Sequence, residues 1–379
     1  MDQPAPGSLS ALADRLDHAG PAIRALSAAV GCDGFVDEMI SVVGERRSAG
    51  EWSALTSMAE LGAAITAAAG RNSLREIVVR SQDPGGCALN LGDGLLQLGV
   101  AIDFLGTLGQ PCHPAFAPFA AACRSVRTLG HSYGRTLAFE FGDGKFMFSA
   151  VSQLAEVDPA LLGAALSDGS FAAACASGAL IALTDWTLYP HMTACWQLLE
   201  REVLARLPRR LPLLIDLVDP SSRSMDDISA MLRQLGAFNR HCDTVLGLNL
   251  NEEKVVARVL GLGEPPAGLS QLGARAQAVR AALGIAEVVI HNAHANAVAY
   301  AGGTVVLAAG PHCRQPAKTT GAGDRFNAGY GLGLMLALPA AERLMLASAV
   351  AGVFIRRARS ATLAEVAAFL RAWAAGREP

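Results

Sequence analysis

Lys318-Thr319-Thr320-Gly321-Ala322-Gly323-Asp324-Arg325-Phe326-Asn327-Ala328-Gly329 is the stretch whose reading decides the fold. It follows an apolar segment, Gly303 to Ala309, that reads as a strand, and a loop carrying Pro311, Cys313 and Arg314. It runs into Tyr330 to Leu338, apolar enough to read as a buried helix. Small residues directly before a helix let a ligand approach the backbone, and the first free N–H groups of that helix form an anion site. A carboxylate at the same place is held by the helix dipole and faces whatever anion the glycines cradle. The pairing suits phosphoryl transfer. N–H groups across Thr320, Gly321, Ala322 and Gly323 absorb charge on the moving group while Asp324 takes the proton from an acceptor hydroxyl.

Working outward, composition sets the frame for this stretch. With 51% hydrophobic and 17% charged residues over 379 positions, most of the chain must pack rather than stay disordered. A net charge of −3 without any basic stripe argues against nucleic acid or an anionic membrane as partner. The first twenty or so residues carry Asp2, Asp14, Arg15 and Asp17 and no continuous apolar run, so no secretory signal is read there. Eight cysteines without a C-x-x-C pair then point to reduced thiols in the cytoplasm rather than disulfides or zinc.

Along the chain, residues 8–28 read as an amphipathic helix and 1–27 as an N-terminal extension. The segment from Ala28 to Asp37 reads as one buried strand ending in acids, placing Asp33 and Asp37 where open α/β sheets bind ligands. Glu51 to Ala69 reads as an inserted helix and Glu76 to Arg80 as a short strand. Asp83-Pro84-Gly85-Gly86-Cys87-Ala88-Leu89-Asn90 then opens a helical run. Arg135 to Phe148 alternates around Gly142-Asp143-Gly144 and reads as a β-hairpin. From residue 158 onward short apolar runs alternate with helices, the pattern of a parallel sheet covered on both faces. Asp216 and Asp219 stand at the end of one such strand, in the run D-L-V-D-P. After the strand at Thr244 to Gly247, Asn249-Leu250-Asn251-Glu252 places Asn249 and Glu252 on one face of a first helical turn.

The run T-T-G-A-G-D-x-F-N-A-G closely resembles the signature of the ribokinase/PfkB carbohydrate kinase family, and the resemblance extends over about residues 28–375. It implies a three-layer α/β/α fold with a central, mostly parallel sheet and a small β-sheet lid, built here from about 36–46, 76–82 and 135–149 within a kinase domain at 28–379. It implies ATP-dependent transfer to a hydroxyl of a sugar or sugar-like molecule, with Asp324 as base and the glycine turn as anion hole. Gly85, Gly86 and Asn90 match the family's first sugar-binding signature, and Asp37 matches its sugar-holding Asp, with Asp33 as rival. Asn249 and Glu252 match an N-x-x-E motif that holds magnesium through water. The resemblance also implies a small-molecule partner and a homodimer formed through the lid.

Two departures carry chemistry. Lys318 stands where relatives have an Asp that binds potassium, so no potassium requirement is expected. His291 and Asn292 replace a Thr and a glycine turn that contact the nucleotide in relatives. Both departures fit a second expectation, a sugar- or nucleotide-binding member without catalysis, and a nucleoside remains a further acceptor class. A dinucleotide oxidoreductase or a P-loop enzyme fits poorly, since neither G-x-G-x-x-G after the first strand nor a Walker A sequence is present.

Overall fold

The computed structural model describes residues 3–263 and 268–377. Helix Pro6–Arg24 leads into strand β1 (Ser27–Cys32), which is buried along its whole length. The chain then leaves for a smaller sheet through β2 (Phe35–Arg46), β3 (Trp52–Ala54) and β4 (Ile77–Gly85). Strands β5 (Ala101–Gly106) and β6 (Ser125–Thr128) rejoin the main sheet, and β7 (Gly134–Phe141) and β8 (Gly144–Ala150) complete the small one. Then follow β9 (Leu180–Thr184), β10 (Pro212–Asp216), β11 (Asp243–Asn249), β12 (Glu287–His291), β13 (Ala295–Tyr300) and β14 (Thr304–Ala309).

The main sheet has nine strands in the order β14-β13-β12-β11-β10-β9-β1-β5-β6, and only β13 runs against its neighbours. Its central strands are apolar at nearly every position because helices cover both faces. Helices Pro6–Arg24, Cys87–Gln97, Ala322–Met335, Ala340–Arg357 and Leu363–Ala374 bury one face. Met192–Glu202, Met225–Phe238 and Leu272–Leu283 bury the other. The parallel register aligns the strands' carboxyl ends and brings Asp33, Asp185, Asp216, Asn249 and His291 to one edge. The second sheet has five strands, β3-β2-β7-β8 with β4 also on β2. In it the row Asp83, Asp37, Thr136 and Ser149 faces the edge just described. No single helix among the described residues is long and apolar enough to cross a membrane.

Several expectations change in detail. The strand expected from Ala28 to Asp37 is two strands broken at Asp33-Gly34, so Asp37 belongs to the small sheet and not to the end of β1. The helix expected over 8–28 stops at Arg24, and Leu9, Leu12, Leu16 and Ile23 lie in the same core as Phe369 and Leu370. Glu51 to Ala69 is a short strand, β3, followed by helix Met58–Ala67. That helix docks on the hairpin turn, where Met58 N donates to Asp143 Oδ1 at 2.7 Å. The strand expected at Glu76 to Arg80 runs on to Gly85.

Candidate active site

Helix Ala322–Met335 begins at Gly321, whose φ of +84° is open to glycine at little cost. A Cβ on Gly321 would lie 2.9 Å from Arg325 Nη1, 3.3 Å from Asn90 Nδ2 and 3.6 Å from Asp324 Oδ2. The turn therefore lies directly against the side chains behind it. Asp324 sits in the first turn of the helix, buried, and accepts a hydrogen bond from Asn90 Nδ2 at 2.8 Å. Burial pushes its carboxyl up to about 7, and the nearby Asp216 adds to the rise; Arg325, Asn90 and Cys87 pull it down. A carboxyl balanced there can take a proton near neutral pH.

Asp324 opens onto a cavity of about 400 Å³ that collects most of the residues singled out in the sequence. Asp37, Gly86, Asn90, Asn249, Glu252, Thr320, Gly321 and Gly323 all line it. Asp185, Asp216 and Asp219 from the sheet edge, and Thr136 and Ser149 from the small sheet, also line it. Asp185 and Thr136 were not singled out in the sequence. Their signal was only a position at a strand's carboxyl end and in a hairpin.

Asp33 does not line the cavity. It is fully buried, where its Oδ1 accepts from Ala88 N at 2.7 Å and Thr184 Oγ1 at 2.5 Å. A Cβ on Gly86 would lie 2.5 Å from its other oxygen, so Gly86 is small to admit Asp33 beneath the turn. Of the two rival acids, the geometry gives Asp37 to the cavity and Asp33 to the scaffold. Gly85 lies against Asp37 in the same way, with a Cβ falling 2.5 Å from Asp37 Oδ2. Burial raises the Asp37 carboxyl, and Thr136, Lys318 and Lys145 ease it back down.

Asn249 and Glu252 form a capping box. Asn249 Oδ1 accepts from Glu252 N at 3.1 Å, and Glu252 Oε2 accepts from Asn249 N at 2.8 Å. The N-x-x-E spacing thus starts helix Leu250–Val259 and at the same time presents a carboxylate to the cavity. Burial pushes Glu252 up to about 8, with Asp216 and Asp219 adding to the rise. A divalent cation would relieve this crowding of like charges. Among the described residues no three His, Cys, Asp or Glu side chains gather closely enough to hold a metal by themselves. Few protein oxygens beside water and phosphate ligands is the arrangement magnesium favours, so the donor set fits that ion.

A second cavity of about 520 Å³ abuts the first and shares Asn249, His291 and Gly323 with it. Its walls come from the β12–β13 turn, the loop at Pro311 to Pro316, Ala322, and helix Ala340–Arg357. His291 stacks on Phe326 with ring centroids 4.8 Å apart, and burial lowers its imidazole to about 4. The β8 side contributes Lys145, whose Nζ donates to Thr320 Oγ1 at 3.3 Å and pairs with Glu140 at 2.7 Å. The small sheet therefore touches the glycine turn across the mouth of the acidic cavity.

Comparison with known proteins bears on this geometry. The family described as prokaryotic ketohexokinase matches residues 12–373. A ketohexokinase from Haloferax volcanii is 28% identical over 344 residues, covering 89% of each chain. Among solved structures, Arabidopsis thaliana ribokinase with ribose and ATP superposes with a TM-score of 0.62 at 14% identity, over 91% of this chain and 99% of that one. An Escherichia coli structure assigned as a Ribokinase II, with ATP and Mg2+, gives 0.57 at 17% identity over 91% and 99%. At those identities the two structures establish the fold.

Proposed function

The chain belongs to the prokaryotic ketohexokinase family and is a carbohydrate kinase acting on a hydroxyl acceptor, and we propose that it phosphorylates a ketohexose with ATP. The observation that carries the reading is Asp324, poised near neutrality at the mouth of a helix N-terminus inside a cavity lined by acids. The acidic cavity takes the sugar, with Asp37 and the helix-bound Asn90 as hydroxyl partners. The adjoining cavity takes the nucleoside of ATP, so that the phosphates cross at Asn249, His291 and Gly323. The names of the ribokinase structures that hold ATP, and ATP with Mg2+, support that nucleotide and that ion.

In the proposed reaction the ionised Asp324 carboxylate accepts the proton of the acceptor hydroxyl. The resulting oxygen forms a bond to the γ-phosphorus as the bond to the β-bridging oxygen breaks, and ADP leaves. N–H groups at Thr320 to Gly323 receive the charge that spreads onto the transferring oxygens. Magnesium, when bound, neutralises phosphate charge, and Asn249 and Glu252 are the side chains that would hold it through its waters. The five-stranded sheet serves as a lid that keeps water from the γ-phosphate, with Lys145 on Thr320 as its point of contact. Phe146 and Phe148, 49% and 55% exposed on its outer side, support a lid-to-lid dimer.

The test is ADP formation with Mg·ATP across ketohexoses, aldohexoses, pentoses, nucleosides and no acceptor. Turnover strongest with a ketohexose is expected. Equal rates with and without acceptor, or nucleotide stabilisation without any turnover, would contradict the reading.

A further inference from the structure

Arg325 follows the proposed base directly, yet the reaction just described gives it no part. It is a charged side chain only 7% exposed, on a helix that is buried from Asp324 to Gly333. A buried guanidinium is costly to desolvate and persists where its donors are well satisfied. Here they are. Arg325 Nε donates to Ser360 Oγ at 3.0 Å and Nη2 donates to Asp93 Oδ2 at 3.2 Å. Ser360 Oγ in turn donates to the same Asp93 oxygen, closing a triangle. The guanidinium plane lies over Phe354, 4.5 Å from the ring centroid.

These partners come from separate elements. Asp93 lies on helix Cys87–Gln97, one turn beyond Asn90, which bonds Asp324. Phe354 belongs to helix Ala340–Arg357 and Ser360 to the loop after it. The remaining nitrogen, Nη1, points to the back of Gly321, 2.9 Å from where a Cβ would be. One side chain thus ties the helix of Asn90, the helix of Asp324 and the chain after Phe354 together, with its free edge beneath the glycine turn.

We propose that Arg325 is a positioning residue for the transfer step. Locked by Asp93 and Ser360, its guanidinium fixes the Gly321 turn relative to Asp324 and places a positive charge behind the anion hole. This inference rests on the reading of Asp324 as general base. The groups facing Asp324 are Asp216 at the end of β10, Cys87 and Asn90 on helix Cys87–Gln97, Glu252 on helix Leu250–Val259, and Asp185 after β9. Arg325 is the cation among the strongest influences on Asp324, while Lys318 and Lys145 act on Asp37. Its presence therefore favours the ionised base that the reaction requires.

The experiment compares Arg325→Met, Arg325→Lys, Ser360→Ala and Asp324→Asn with the wild type in kcat, KM and the pH profile of kcat/KM. Arg325→Met is expected to lose about tenfold or more in kcat, the size set by a lost charged hydrogen bond. Its acidic limb should move up by about one pH unit, since a carboxylate without its cation ionises later. Free guanidinium ion should restore part of the rate. Arg325→Lys keeps the charge and not the fork, so its limb should stay in place while kcat falls. Ser360→Ala should lower kcat less, with KM for both substrates unchanged. A folded Arg325→Met with an unmoved limb and no rescue overturns the proposal. If that variant does not fold, wild-type kcat in both Arg325→Lys and Ser360→Ala overturns it. Undiminished turnover in Asp324→Asn would instead defeat the general-base reading, and the rescue and the Lys variant would still judge Arg325.

Discussion

The two adjoining cavities meet at Asn249, His291 and Gly323 and are built on opposite principles. The smaller one gathers carboxylates from five places in the chain, Asp37, Asp185, Asp216, Glu252 and Asp324, and pushes each above its ordinary value by burial. The larger has no carboxylate among its lining residues; apolar groups such as Pro311, Phe326, Ala351 and Ile355 share its wall with neutral Asn, Thr and Ser side chains. Moving a proton and a phosphoryl group demands particular atoms at particular distances, whereas enclosing a flat base demands chiefly a shape. Substitutions should therefore divide cleanly between the two.

The largest division is expected at Asp37. Replacing it with Ala removes charged hydrogen bonds of about 1.5–3 kcal/mol each, so KM for the sugar should rise about 10- to 150-fold. Affinity for ATP, measured by titration calorimetry, should stay as it was; an equal loss for ATP would break the assignment of the cavities. On the other side, Ala351→Phe fills the apolar cavity, and overpacking of about 1–3 kcal/mol should raise KM for ATP about tenfold. Here kcat and sugar KM are the controls expected to hold.

Acidity separates the cavities by sign. A carboxyl whose pKa is raised by folding lends stability that is full below its unfolded value and is lost as pH rises through the folded one. Asp324, up to about 7, and Glu252, up to about 8, follow that rule. His291, lowered to about 4, acts oppositely, since its contribution is present above the unfolded value and lost as pH falls. Above about pH 6.5 the histidine is constant, so the ligand-free protein should lose a few degrees of Tm between about pH 6.5 and 8.5. Thermal scans that rise over this window would contradict the acidic cavity. The smallest effect expected is none at all. With Lys318 in place of a potassium-binding Asp, rates in potassium and in sodium should coincide, and a saturable potassium activation curve would refute that.

Much of this division was legible in the sequence, for the same physical reason. The anion turn, the acid behind it and the N-x-x-E spacing each need fixed residue types, so Asp324, Asn90, Asn249 and Glu252, which line one cavity, stand out in the sequence alone. Asp33 stays a rival to Asp37 in the sequence, because the strand break at Asp33-Gly34 lies in an otherwise continuous apolar run. Strand β13 was hidden because Asn292, His294 and Asn296 look like loop punctuation; in fact Asn296 is buried and its amide bonds Ser348 Oγ at 2.8 Å. Strands β3 and β6 are too short to show a period. The N-terminal helix reads as an appendage in sequence, but its leucines belong to the main core. Arg325 was visible yet unreadable, since its partners Asp93 and Ser360 are 232 and 35 residues away.

The central claim, a base in the acidic cavity acting on a nucleotide held in the other, is tested most directly by Asp324→Asn. Ketohexose-dependent ADP formation and ATP affinity should be measured on the same sample. The account predicts a fall in kcat of about 10² to 10⁴ with ATP affinity retained and Tm no lower than in the wild type. Near-normal turnover in the variant, or loss of ATP binding in step with the rate, would contradict it.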